Sequence, residues 1–337
     1  MLEPVFLCGY MRSGTTLLYR FLATFDEFGV GLPDHNETDR AFETAVWFYS
    51  DPTSDLEAVY DQDWPHWKDA IPDRNSFKQF IGRYNNLSFL RKWLEVRLNK
   101  HVFTRAGASR NARVLASRLS WRRHIVRNFL TLYSESYGAK KPLEKCPDNY
   151  LALHELNAIL PDAKFIFIYR NPLDVYASLI RRGRLELELE PVLPIGRVAW
   201  MFITPEEFSK GWIEAVDCAR EFARVSPDRL LMTKYENFTE ARESECRRIC
   251  DFLDLDSARV KFSNRVDYDE SKRFPLRSST PVPNSNTFRK MLHPSDIEKI
   301  IRLCSGPMHE LGYEALEDAE CGLQAPRFDR QFQQPRL

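Results

Sequence analysis

Between Gly9 and Thr16 the chain reads Gly9-Tyr10-Met11-Arg12-Ser13-Gly14-Thr15-Thr16, which gathers two glycines, a guanidinium and the hydroxyls of Ser13, Thr15 and Thr16. A glycine-bearing turn that opens a helix aims backbone N–H groups at one spot, where the positive end of the helix dipole reinforces them. The segment is therefore a candidate cradle for a phosphate-like anion. Its G-x-x-x-x-G spacing fits a phosphate-binding loop, but Thr15 and Thr16 stand where a nucleotide triphosphatase carries Lys and Ser or Thr, which weighs against a Mg-dependent kinase or ATPase. A second anion site is readable at Arg170 and Ser178: an Arg at the end of a strand and a Ser on the following helix converge on one ligand at the carboxyl edge of a sheet.

These groups need elements to position them. The apolar run Val5 to Cys8, then Gly9, then Leu17-Leu18-Tyr19-Arg20-Phe21-Leu22, reads as strand, turn and helix. Lys164 to Tyr169 is a second strand, followed by the turn and helix start Arg170-Asn171-Pro172 and an apolar helix face at Val175 and Leu179. A third strand over Leu230 to Thr233 precedes Tyr235-Glu236. Helical spacing marks residues 85–135, Leu151 to Leu160 before Pro161, Glu245 to Leu253 and Asp296 to Leu311. Strands alternating with helices predict an α/β fold, with a P-loop-like central parallel sheet flanked by helices and a helical substrate cap. One domain over 1–321, with helical insertions at about 40–135 and 183–210 and a loose tail at 322–337, accommodates the pattern.

Composition narrows the function classes. The 337 residues carry 48 Lys+Arg against 48 Asp+Glu, and this balance argues against a general nucleic-acid binder while leaving room for a local basic pocket. No run approaches the roughly 18 apolar residues of a membrane span, and the N-terminus reads as a core strand rather than a signal peptide. Seven scattered cysteines do not form a disulfide framework, which points to a reducing cytoplasm. Cys246 and Cys250, one helical turn apart without a second ligand pair, read as a core helix face rather than a metal site. Between Lys100 and Arg127, Arg105, Arg110, Arg113, Arg118, Arg122 and Arg123 with Trp121 form either a solvated helix face or a basic wall for an acceptor. Trp64, Trp67 and Trp93 either pack in the core or stack on an acceptor, and Gly183 to Phe208, with its alternating Leu and Glu, is a candidate lid.

On these residues Pro4 to Leu22 resembles the 5′-phosphosulfate loop of sulfotransferases that use 3′-phosphoadenosine 5′-phosphosulfate (PAPS). The Arg-type loop is similar to that of tyrosylprotein and several bacterial and carbohydrate sulfotransferases, because Arg12 sits where the cytosolic aryl and steroid enzymes carry Lys. Lys164 to Ser178 resembles the family's 3′-phosphate strand and helix, which implies that Arg170 and Ser178 hold that phosphate. Glu144-Lys145-Cys146-Pro147 is similar to a Lys-x-Pro segment whose Lys reaches the bridging oxygen of the donor. The strand ending in Lys234 with Tyr235-Glu236-Asn237-Phe238 resembles the segment near the adenine, where Tyr235 would stack or hydrogen-bond. His293 to Tyr313 looks like the closing helix, with Ser285, Arg289 and Lys290 expected over the 3′-phosphate.

The resemblance implies PAPS as sulfuryl donor, 3′,5′-ADP (PAP) as product and no metal. The acceptor would be a hydroxyl or amine of a small molecule, saccharide or peptide. In-line transfer builds charge on the bridging oxygen, so Arg12 and Lys145 are expected as the catalytic cations, with Ser13, Gly14, Thr15 and Thr16 cradling the phosphosulfate. Asp34-His35-Asn36-Glu37-Thr38-Asp39 should supply a base. A Glu-Thr-Arg segment at similar distance in tyrosylprotein sulfotransferases implies Glu37, although Asp39 replaces that Arg, and His35 is the second candidate because an imidazole needs little tuning near neutral pH. A degenerate P-loop phosphotransferase and a non-catalytic nucleotide-binding protein remain the alternatives.

Overall fold

Four short strands, Val5–Cys8 (β1), Leu143–Lys145 (β2), Lys164–Tyr169 (β3) and Leu230–Lys234 (β4), pair in parallel in the order β2-β1-β3-β4. The computed structural model describes residues 2–29, 43–50, 55–62, 67–85, 109–189, 198–260 and 286–313. All four residues of β1 are buried, as expected of a strand hydrogen-bonded on both sides in a parallel sheet. Its register places Leu7 opposite both Lys145 and Ile166, so β2 ends one residue short of the end of β1, while β3 runs on past it to Tyr169.

Parallel pairing requires crossovers, and those described here are helical. Between β1 and β2 run α1 (Thr15–Leu22), α2 (Val46–Tyr49), α3 (Leu56–Asp61), α4 (Trp67–Ala70), α5 (Arg74–Asn85), α6 (Arg110–Leu119) and α7 (Arg122–Tyr137). A 3-10 turn over Pro147–Ala152 and α8 (Leu153–Ile159) link β2 to β3; α9 (Pro172–Leu189) and α10 (Pro205–Val225) link β3 to β4. After β4 come α11 (Tyr235–Glu240), α12 (Arg242–Leu253), α13 (Phe288–Met291) and α14 (Pro294–Glu310).

The strands read from the sequence at β1, β3 and β4 are present. Strand β2 is not among the sequence expectations, because three residues are too few to show a periodicity. The helix expected from Leu151 starts at Leu153 instead, since Pro147 opens a 3-10 turn ahead of it.

Two compact units emerge, Met1–Tyr169 with Asp217–Val282, and Arg170–Val216 with Pro283–Leu337. The first holds the whole sheet. Phe6 stacks on Phe165 at 5.4 Å, and Phe222 meets Phe165 edge-on at 5.3 Å. Trp67 is fully buried against Phe77 and Phe129, and its indole N–H donates to Thr44 O at 2.7 Å, so this tryptophan is core. The arginines of α6 and α7 also have internal roles. Arg110 pairs with Glu221 and Arg113 with Glu155, while Arg122 lies buried over the Trp47 ring at 4.7 Å. Trp64, Trp93 and Arg105 lie outside the described residues. Six cysteines of the described residues are free thiols, with Cys246 and Cys250 buried on α12.

In the second unit α9 packs with α13 and α14. Asp174 of α9, almost fully buried, accepts from the backbone N–H groups of Asn286 (2.8 Å) and Phe288 (3.3 Å) and from Thr287 Oγ1 (3.0 Å). Gly183 to Leu189 complete α9, and a Cβ on Gly183 would come within 2.7 Å of the Phe202 ring. Of the rest of the candidate lid, Ala199–Met201 form a 3-10 turn and Pro205 to Phe208 open α10, while 190–197 and the tail from 314 lie outside the described residues.

Gly9 is where β1 and β3 come closest to contact without a side chain between them. Its φ is +156°, and a Cβ there would sit 2.2 Å from Ile168 O. Gly9→Ala should therefore destabilise the chain by about 2 kcal/mol or more, read from urea unfolding midpoints, and an unchanged midpoint would refute this account of the turn.

Candidate active site

The cradle is built by two backbone conformations that most side chains avoid. Gly14 caps α1 at φ +107°, and a Cβ there would lie 2.6 Å from the Tyr235 ring, so Tyr235 of α11 packs directly on the loop. Arg12 adopts φ +67°, a left-handed conformation that is strained for any residue bearing a Cβ and that concentrates at functional sites. Between them the N–H of Ser13 donates to Tyr10 O at 3.1 Å, which closes the turn, and the N–H of Leu18 makes its helical bond to Gly14 O at 3.1 Å. The N–H groups of the residues just before Leu18 have no carbonyl within α1 to meet, as in the first turn of any helix.

Ser13 itself is 0% exposed, and its Oγ has no hydrogen-bond partner among the described residues. A buried hydroxyl left unpaired costs about 1–3 kcal/mol. Beside a glycine-capped helix N-terminus, it is a donor placed for an anion, so the residues present fit the phosphosulfate end of a nucleotide donor.

Strand β2 brings the next groups to β1. Lys145 Nζ lies 2.6 Å from Glu43 Oε2 and 3.3 Å from Thr16 Oγ1, with the Lys145 and Glu43 side chains 6% and 21% exposed. The cation read from the sequence thus reaches the N-terminus of α1, and it brings with it a carboxylate that sequence reasoning missed. A signal for it exists: Glu-Thr occurs at 37–38 and again at 43–44. Glu37 and His35 lie outside the described residues, as does Ser285.

Next to Lys145, Glu144 is fully buried and accepts from Thr44 Oγ1 at 2.9 Å, from the Asn149 side-chain amide and from the N–H of Ala45. Burial, reinforced by the Glu43 charge and opposed by these hydrogen bonds, pushes its carboxyl up from 4.5 to about 7. Burial and Glu43 also raise Asp148.

The first unit therefore brings together Arg12, Ser13, Gly14, Thr15, Thr16, Lys145 and Tyr235. The second carries the remaining described candidates. Arg170, the buried residue after β3, accepts from Trp212 Nε1 through its carbonyl at 3.3 Å. Ser178 lies one turn beyond Asp174 on α9, and Asp174 ties down the backbone leading into Arg289 and Lys290.

A carboxyl raised in the folded state binds more protons there than in the unfolded chain over the interval between the two values. Its contribution to stability is thus full below pH 4.5 and falls as pH rises to about 7. Glu144→Gln removes this titration, and the Asn149 amide, whose Oδ1 is buried without a partner among the described residues, can turn to meet the new Nε2. Urea unfolding at a series of pH values should show wild type losing stability relative to Glu144→Gln across that window; parallel curves would remove the shift.

With this geometry in place, comparison with known proteins is informative. A family model described as the sulfotransferase family matches residues 4–259. No curated protein sequence matches the chain. The sulfotransferase domain of the Synechococcus PCC 7002 olefin synthase aligns with a TM-score of 0.50 at 16% identity, covering 93% of this chain and 97% of that one. A sulfotransferase from Mycobacterium avium gives 0.44 at 15% identity, over 93% and 78% of the two chains. Retinol dehydratase, solved with androsterone and the inactive cofactor PAP, gives 0.46 at 16% identity, over 93% and 82%. The first supports the α/β fold with its parallel sheet. The family match spans the cradle, β2, β3 and the β4–α11 junction, and the chain belongs to the sulfotransferase family.

Proposed function

We propose that the protein transfers the sulfuryl group of PAPS to a hydroxyl or amine of a small-molecule, saccharide or peptide acceptor. The observation that carries this reading is the buried Ser13 Oγ at the glycine-capped start of α1, beside a Lys145–Glu43 pair that touches Thr16. Ser13, Thr15, Thr16 and the first N–H groups of α1 bind the 5′-phosphosulfate, and Tyr235 meets the adenine. Arg170, Ser178, Ser285, Arg289 and Lys290 hold the 3′-phosphate.

The reaction breaks the bond between sulfur and the bridging oxygen and forms one from sulfur to the acceptor. Negative charge gathers on the bridging oxygen, where Lys145 and Arg12 stabilise it, and removing one such group typically costs about 10² to 10³ in rate. The acceptor's proton goes to Glu43, the carboxylate held beside Lys145 at the cradle. Glu37 and His35 stand as the other candidate bases. The free cysteines agree with a reducing cytoplasm as the setting.

The deciding experiment incubates the protein with ³⁵S-labelled PAPS and a pooled acceptor panel and compares thermal stabilisation by PAP with that by ATP and Mg²⁺. Label transfer and stabilisation by PAP are expected; stabilisation by ATP and Mg²⁺ alone would support the phosphotransferase, and PAP binding without turnover a nucleotide-binding protein. Arg170→Ala should weaken PAP by about 1.5–3 kcal/mol, roughly 10- to 150-fold.

Two further substitutions test the first unit. Ser13→Ala should stabilise the unliganded protein by about 1 kcal/mol, since it deletes an unpaired buried hydroxyl, while weakening PAP binding. Effects of the same sign would count against the cradle. Glu43→Gln should lower turnover about 10²-fold or more, with PAP affinity within about twofold. Normal turnover in Glu43→Gln beside an inactive Glu37→Gln or His35→Ala protein would move the base to that residue.

A further inference from the structure

The buried carboxylate of Glu144 has no part in the chemistry above, yet it sits beside it. A β-strand residue packed against the sheet interior is ordinarily apolar, and removing a carboxylate from water costs several kcal/mol before its partners are counted. Here the partners are informative. Two of the three donors, Thr44 Oγ1 and the N–H of Ala45, belong to the residues that follow Glu43. Consecutive residues of one segment thus grip consecutive residues of β2: Glu43 holds Lys145 and Thr44 holds Glu144.

The backbone between them is strained. Ala45 has φ +45° and ψ +35°, a left-handed conformation costing a residue with a Cβ about 1–2 kcal/mol, so something must hold it. Its ties include the bonds to Glu144, the indole of Trp67, which donates to Thr44 O at 2.7 Å, and the N–H groups of Phe48 and Tyr49, which donate to Ala45 O at 2.9 and 3.3 Å. Asn149 Nδ2 on the other carboxylate oxygen keeps the Glu144 side chain from swinging away.

We infer that Glu144 is a positioning residue: through Thr44 and Ala45 it fixes the backbone that presents Glu43 to Lys145 and the cradle. The catalytic consequence rests on Glu43 being the proton acceptor, but the clamp itself does not. Glu144→Met keeps the length of the side chain and removes its acceptors, and exchanging a buried charge for an apolar group of similar size is often neutral for stability. The full chain is compared as wild type, Glu144→Met, Thr44→Val and Glu43→Gln, together with the double variant Glu144→Met/Glu43→Gln.

Amide hydrogen exchange over Glu43–Ala45 should quicken at least tenfold in Glu144→Met while β1 and β3 keep their protection. Turnover should fall at least tenfold with PAP affinity within twofold, and Glu144→Met should lower turnover less than twofold further in the Glu43→Gln background. Thr44→Val, which leaves Glu144 in place, should reproduce the exchange effect if Glu144→Met fails to fold. Unchanged exchange in the segment overturns the clamp, while faster exchange with an equal loss of turnover in both backgrounds keeps the clamp and overturns its action on catalysis through Glu43. Faster exchange with wild-type turnover in Glu43→Gln would instead retain the clamp and dismiss the base assignment.

Discussion

Where β1 ends, the chain must reverse into α1 against the carbonyl of Ile168 on β3, in a space that admits backbone and nothing else. This steric limit fixes the rest of the first unit's site. With no side chain at Gly9, β1 keeps its register with β3 through Cys8 and with β2 through Leu7, where β2 ends. The first-turn N–H groups then face the same place as Lys145, because Lys145 is opposite Leu7 in the ladder. A turn displaced by one residue would lose that alignment, since neighbouring strand residues face opposite sides of the sheet.

Around that turn the molecule keeps groups that a folding optimum would remove: an unpaired serine hydroxyl, a left-handed arginine and a carboxylate in the sheet interior. Each is destabilising alone, and the carboxylate belongs with Thr44, Asn149 and the Glu43–Lys145 pair to a group that reaches Thr16 of the turn. Such clustering is expected where stability is traded for a prepared electrostatic environment. In the second unit one buried carboxylate is satisfied in place. It is that of Asp174, on which three donors converge.

The parts of this arrangement legible in the sequence were those with a local signature. Glycine spacing marked the turn, and the run Lys164 to Tyr169 marked β3 to the residue. The family match agrees with the sulfotransferase resemblance. Glu43 and β2 were not legible, for physical reasons. A three-residue strand carries no period, and a carboxylate's meaning lies in what it touches 102 residues away in sequence. The arginines of α6 and α7 illustrate the same limit: their density left two readings open, and the partners of Arg113 and Arg110, Glu155 and Glu221, lie far away in sequence.

The contact between Gly14 and Tyr235 restricts the order in which this protein can change. A methyl group at position 14 collides with the ring, so position 14 does not change while residue 235 stays aromatic. A lineage could enlarge residue 14 only after shrinking residue 235, and would still meet a backbone at φ +107° that disfavours every side chain. Two independent barriers, the ring and the backbone conformation, therefore oppose any side chain at position 14.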